Sequence, residues 1–348
     1  MRRARVAAAA AVVVLATLAA GGCGGGGDDD GSNADAPPVG ADSPALLREL
    51  AQVRATDRAR AWTTYGDLAA QRALGDGTAP STLFTLSGYG WPTTQARDVE
   101  ARGKLGLSGA AADRAIEIGE THGTGRFDGG VDTGAVADGA KRLGGHEDGS
   151  AGPLTVWRLA ADDAVAKNGD IAQLSRGSAD FNVIAVGKDT VVRAQSAAAA
   201  KDLAADNKGD TLARDPEVRA VADCLGTPLA ATFSDRHITA GGASPKPADF
   251  TTGAGVTGSD PKKLTQVACR TTGSAAEAKR TATALRTELA HGTTRLSRLP
   301  WNTMLADAKV SVVAGTTVKV TATSKKSPQV VLEMMRSGDL SDLLDTSG

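Results

Sequence analysis

The spacing of hydrophobic and polar positions predicts alternating short helices and strands along most of the chain. Apolar residues at helical spacing, several sets of them preceded by a capping residue, predict helices that start near Ser43, Asp67, Asp98, Asp132, Ser196, Asp215, Ser274 and Ser327. Runs rich in β-branched and aromatic residues predict strands at 58–65, 83–86, 115–119, 124–129, 154–159, 229–233, 250–256 and 264–271. Paired runs at 182–186 with 190–194, and at 309–314 with 317–323, predict two hairpins.

Two segments of the chain follow the same plan. The strand at 124–129 is followed by a helix, a hairpin and another helix, and the strand at 264–271 is followed by the same series. The second series contains a capping box, in which Ser274 and Glu277 satisfy free backbone amides at the start of the helix. The pattern therefore predicts an α+β fold of two related lobes, 43–208 and 209–348, each with a βαββα repeat of helices packed on antiparallel strands.

The first 23 residues differ from the rest. Three arginines precede an uncharged run at 6–20, which is shorter than the ~20 residues that span a bilayer, and small residues then lead to Cys23. Through Ala20, Gly21, Gly22 and Cys23 this stretch resembles the signal and lipobox of bacterial lipoproteins. Together with the bias of the whole chain toward Ala, Gly, Arg and Asp, it resembles a lipoprotein of the actinobacterial type. The resemblance implies a signal peptide at 1–22 and a lipid on Cys23. Ala20 stands where leucine is usual, which leaves an ordinary secretory signal cleaved nearby as the alternative.

Residues 23–42 predict a disordered tether. The stretch is dominated by Gly, Asp and Pro and has no hydrophobic periodicity, so it buries too little surface to offset its ordering entropy. Three consecutive aspartates, Asp28 to Asp30, are interpreted as a solubilising run rather than as metal ligands. We expect the mature protein to be exported and held at the outer face of the cytoplasmic membrane by its anchor.

Composition limits the classes of partner. The precursor carries a net charge of -1, and loss of the three signal arginines makes it about -4. Binding to nucleic acid needs clustered Lys and Arg that neutralise phosphates, so we expect no nucleic-acid partner. Aromatic residues make up 3% of the chain, so Ala, Val and Leu must fill the core.

The remaining cysteines, Cys224 and Cys269, predict one disulfide. Export places them in an oxidising compartment, and no histidine lies near them at the spacing of a tetrahedral zinc site. The sequence also lacks GxSxG, Walker A and HExxH motifs. It therefore predicts no catalytic residue, no metal ligand and no cofactor.

An aromatic loop is the remaining candidate for recognition. Tyr89 and Trp91 alternate with Gly88 and Gly90 before Pro92, so we expect a loop that holds two rings outward as a binding surface. The alternative is that the rings plug the loop onto the core.

The function predicted from these features is that of a lipid-anchored, non-enzymatic binding or scaffolding protein of the cell envelope. Its partner would be another envelope protein or a ligand. One alternative is a carrier of a small apolar ligand or lipid, which requires a cavity between helices and sheet. A second is a hydrolase whose site is assembled from scattered residues.

Overall fold

A computed structural model of the chain describes residues 38–75, 84–91, 99–119, 123–204, 209–238, 246–295 and 297–345. The predicted signal peptide, Cys23 and most of the predicted tether lie outside these ranges. The described residues combine helices with one antiparallel sheet, which confirms the α+β class.

Several helices begin at the capping residues that the sequence predicts. Asp132 Oδ1 accepts a hydrogen bond from the Ala135 amide at 2.9 Å, and Ser274 Oγ accepts one from the Glu277 amide at 3.2 Å. The α-helices are α1 Ala45–Leu50, α2 Asp57–Ala61, α3 Leu68–Ala73, α4 Thr133–Arg142, α5 Gly169–Ser175, α6 Ala197–Asp202, α7 Pro216–Leu225, α8 Ala275–His291, α9 Trp301–Met304, α10 Val330–Ser337 and α11 Asp339–Leu344. Short 3₁₀ or π-helical turns cover Phe84–Gly88, Ala101–Leu105 and Gly109–Ala111.

Twelve strands of the described residues form the sheet. They are β1 Thr63–Asp67, β2 Arg114–Ile118, β3 Thr124–Asp128, β4 His146–Ala151, β5 Leu154–Arg158, β6 Val183–Val186, β7 Thr190–Ala194, β8 Ala230–His237, β9 Lys246–Thr257, β10 Thr265–Thr271, β11 Ala306–Val313 and β12 Thr317–Thr323. The order across the sheet is β11, β12, β10, β9, β8, β1, β2, β3, β7, β6, β5, β4, and every neighbouring pair is antiparallel. The pairing of β1 with β8 joins the seven strands of the first half of the chain to the five of the second.

Helices cover both faces of the sheet. On one face α1, α6 and α7 pack on side chains such as Ile116 of β2 and Val267 of β10. On the other face α4 packs near Ala115 of β2, while α8 and α10 pack near Ala268 of β10. Successive residues of a strand point to opposite faces, so the central strands are buried at nearly every position.

A disulfide fixes α7 to the sheet. Cys224, in the last turn of α7, is bonded to Cys269 of β10 across a sequence separation of 45, which confirms the predicted pair. The helix also lies close to β9, because a Cβ on Gly253 would stand 2.3 Å from Val221 Cγ1. The disulfide and the glycine together set the distance between α7 and the sheet.

Two strand predictions are wrong. Within 58–65, residues 58–61 belong to helix α2, because the Thr56 hydroxyl caps the helix by accepting a hydrogen bond from the Ala59 amide at 3.2 Å. The strand starts later, at Thr63. Within 83–86, Leu83 lies outside the described residues and the following residues form a 3₁₀ turn. Short apolar runs do not distinguish a strand from a buried turn.

Candidate functional site

The aromatic loop faces the core, which corrects the expectation that Tyr89 and Trp91 project outward. Their side chains are 3% and 2% exposed, and the Trp91 ring meets the Phe127 ring edge-on at 4.7 Å. Gly90 has φ +80°, and a Cβ there would lie 2.3 Å from the Ala115 carbonyl oxygen. This close approach to β2 turns both rings inward, so they form no accessible contact surface.

A buried cation lies beside Trp91. The Arg193 guanidinium donates to Glu117 Oε1 and to Asp180 Oδ2, each at 2.8 Å, and to the Gly123 carbonyl at 2.9 Å. Its central carbon is 5.2 Å from the centre of the Trp91 ring. These groups tie β2 and β7 together inside the protein. Their burial assigns them to the core rather than to a site for a ligand.

Two carboxyl groups form a second buried cluster on the other face of the sheet. Glu49 of α1 hydrogen-bonds to Asp128 of β3 and accepts a hydrogen bond from Arg114 Nε at 2.6 Å. Burial raises the pKa of Glu49 to about 8, and the negative charge of Asp128 adds to this effect. Glu49 therefore keeps its proton at neutral pH.

Asp128 behaves in the opposite way. Burial by itself would raise its pKa, but the positive charge of Arg126 and hydrogen bonds from Glu49, Arg126 and Thr190 outweigh burial and lower it. The Arg126 guanidinium donates to both carboxylate oxygens, at 2.6 and 2.9 Å. The pair thus consists of a neutral acid and a carboxylate.

Enzymes use pairs of carboxyl groups with such different pKa values as general acid and general base, but here the pair lies in the core. Glu49 is 3% exposed and Asp128 is 8% exposed. A general acid must come within hydrogen-bond reach of its substrate, and neither group presents a face to one. We assign the pair to the attachment of α1 to the sheet.

An open cleft beside the disulfide is the candidate site. It has a volume of about 400 Å³ and lies between α7 and the hairpin formed by β11 and β12. One wall of the cleft comes from α7 and the other from the hairpin. The lining residues are Pro216, Arg219, Ala220, Asp223 and Cys224 of α7, and Val313, Ala314 and Lys319 of the hairpin. The volume falls within the range of about 300 to 1,000 Å³ that is typical of small-molecule sites.

The wall contributed by α7 follows from its sequence. Pro216, Ala220 and Cys224 recur every four residues, which aligns them along one side of the helix. This stripe lies beside the larger apolar face, which packs on β9 and β10. The stripe of small residues was the signal in the sequence that could have indicated a groove.

Charged groups border the apolar part of the cleft. Arg219 Nε lies 3.1 Å from Asp223 Oδ2, so these opposite charges are paired along α7. Lys319 of β12 donates a hydrogen bond from Nζ to the Cys224 carbonyl at 2.7 Å. This carbonyl belongs to the last turn of α7, so Lys319 also caps the helix. Within the described ranges, no carboxylate lies within ion-pair distance of Lys319.

Comparisons with protein-family models, with curated proteins and with solved structures find no match for this chain. Within the part of the chain that the structure describes, no group of three or more His, Cys, Asp or Glu side chains could hold a metal ion. In the same ranges, no helix combines the length and the apolar character required to cross a membrane. The cleft is therefore assigned as a candidate site from its geometry.

Proposed function

We propose that the chain is an exported protein, anchored by a lipid on Cys23, that binds a small ligand in the cleft beside α7 without catalysing its conversion. The anchor would place it on the outer face of the cytoplasmic membrane. The bacterial lipoprotein signal that residues 2–23 resemble supports this location. The disulfide agrees with it, because such bonds persist in oxidising compartments.

The observation that carries the binding role is the cleft itself. Its apolar wall and few bordering charges form the combination that is typical of small-molecule sites. The disulfide holds Cys224 of this wall to the sheet, which favours a preformed site. The two buried carboxyl groups, Glu49 of α1 and Asp128 of β3, do not line this cleft. The site therefore supports binding better than acid–base chemistry.

Native mass spectrometry of the lipid-anchored protein, isolated from the membrane of its host, tests this role. Ala220→Trp would fill the cleft from α7, because Ala220 is half-buried on its wall. Ala276→Trp is the matched control, since Ala276 is exposed on α8. We expect a small molecule bound to the wild type and to the control and lost from Ala220→Trp. Equal occupancy of all three proteins would contradict the assignment of the cleft.

We also propose that 43–208 and 209–348 are related lobes built on a βαββα repeat. In the first, β3 leads to α4 and later to the β6–β7 hairpin, whose strand β7 pairs with β3. In the second, β10 leads to α8 and later to the β11–β12 hairpin, whose strand β12 pairs with β10. The same pairing on both sides of the central β1–β8 pair supports the proposal.

A further inference from the structure

We infer that the ligand of the cleft beside α7 is a small amphiphile with one apolar chain or ring and one carboxylate, and that Lys319 binds this carboxylate. The inference rests on the proposed function, because it specifies the ligand of the same site. The observations that carry it are the charge balance of the cleft and the position of the Lys319 ammonium group.

The cleft has an excess of one positive charge. Arg219 and Asp223 offset one another at 3.1 Å, whereas Lys319 has no carboxylate within ion-pair distance among the described residues. The carboxyl end of α7 contributes a partial negative charge of roughly 0.5, which is smaller than the full charge of Lys319. An anionic group therefore complements this site better than a neutral or cationic one.

Lys319 also retains hydrogen-bonding capacity. An ammonium group has three N–H donors, and Lys319 uses one of them on the Cys224 carbonyl. The remaining donors are available to a carboxylate, and the half-buried position of Lys319 reduces screening of its charge by water. The protein contact orients the amine at the cleft before a ligand arrives, which lowers the entropic cost of binding.

The rest of the cleft determines the other part of the ligand. Pro216, Ala220 and Val313 offer apolar surface and no side-chain hydrogen bond, so they favour hydrocarbon. The volume of about 400 Å³ lies near the lower end for small-molecule sites. A single short chain or ring suits this space better than a lipid with two long acyl chains.

Calorimetric titration of the delipidated mature chain with decanoic acid, decan-1-ol and decylamine tests the inference. These probes share their chain and differ in their head group. We expect the acid to bind the wild type roughly 10-fold to 100-fold more tightly than the alcohol, which is typical of one charge-assisted hydrogen bond. Lys319→Met should remove this preference, Lys319→Arg should keep it, and Lys279→Met, at an exposed position of α8, should leave it unchanged.

The outcomes separate the ligand class from the binding role. Equal affinity of the wild type for acid and alcohol, with both lost in Ala220→Trp, would overturn the carboxylate and leave the cleft as a binding site. Binding that Ala220→Trp does not reduce would overturn both. If Lys319→Met fails to fold without its contact to Cys224, the ratio of the acid affinity to the alcohol affinity of the wild type decides whether the cleft selects a carboxylate.

Discussion

At the scale of single residues, Glu49 links the stability of the protein to pH. Its ordinary pKa is 4.5, and burial raises it to about 8 in the folded chain. Between these values the unfolded chain has lost a proton that the native protein keeps. The free energy of unfolding should therefore fall as pH rises, by up to ~1.4 kcal/mol per pH unit from this group, and level off above about pH 8.

Glu49→Gln tests this link, because glutamine is neutral at every pH and close to the protonated acid in shape. The variant should resist denaturant better than the wild type at about pH 9 and about equally at about pH 5. Glu147→Gln, at an exposed position of β4, is the control and should follow the wild type. Parallel stability profiles for the wild type and Glu49→Gln would refute the assignment.

Asp128 affects stability in a different pH range. Its pKa is lower in the folded protein than in the unfolded chain, so its carboxylate stabilises the fold at pH values above the unfolded pKa. This contribution is lost as the pH falls through the folded pKa.

This residue-scale behaviour could not be predicted from the sequence. Glu49 lies in a short helix with a neighbouring arginine, where a charged residue usually faces solvent. Its partners Arg114 and Asp128 come from strands more than sixty positions away. The prediction of an outward-facing aromatic loop was wrong for a related reason, because glycines that permit an exposed loop also permit close packing on β2.

At the scale of elements, local signals predicted the structure where they were strong. Caps at Asp132, Asp215 and Ser274 marked helices that the structure confirms. Strand β4 was missed because its sequence, HEDGSA, is almost free of large apolar residues. It lies at an edge of the sheet and is held by pairing with β5, which leaves no hydrophobic pattern to detect.

The disulfide is the element-scale feature with the clearest expected effect. A bond across 45 residues contributes up to ~4 kcal/mol in the chain-entropy model, and native disulfides typically contribute about 2 to 5. Replacing Cys224 and Cys269 together with serine should lower the free energy of unfolding by about 2 to 4 kcal/mol in urea denaturation.

The location of this loss would also test the proposed lobes. Native-state hydrogen exchange should show amides of 209–345 losing more protection than those of 43–204, because the bond lies wholly within the second segment. An even loss along the chain would contradict two separately stable lobes. Free thiols that alkylate in protein isolated without reductant would contradict the bond itself.

At the scale of the whole molecule, the order of the strands in the sheet could not be predicted from the sequence. The central pairing of β1 with β8 places Thr63 opposite Phe233, and no local pattern specifies such a distant partner. The complete cleft has the same origin, because its second wall, the β11–β12 hairpin, reaches α7 only when the sheet is assembled. The α+β class could still be predicted, since it depends on local periodicity.

The attachment of the molecule to a membrane is a prediction about residues outside the described ranges. Cys23 follows the uncharged run of the signal, and two acyl chains contribute about 0.8 kcal/mol per buried methylene, which is sufficient for stable anchoring. Mass spectrometry of the N-terminal peptide should therefore find Cys23 as the first residue, with acyl groups attached. Cys23→Ala should leave the precursor unprocessed or release the protein from the membrane fraction, whereas Ser32→Ala, at another position of the predicted tether, should remain bound. A native N-terminus at another residue, or Cys23 without acyl mass, would refute the anchor and favour an ordinary secretory signal.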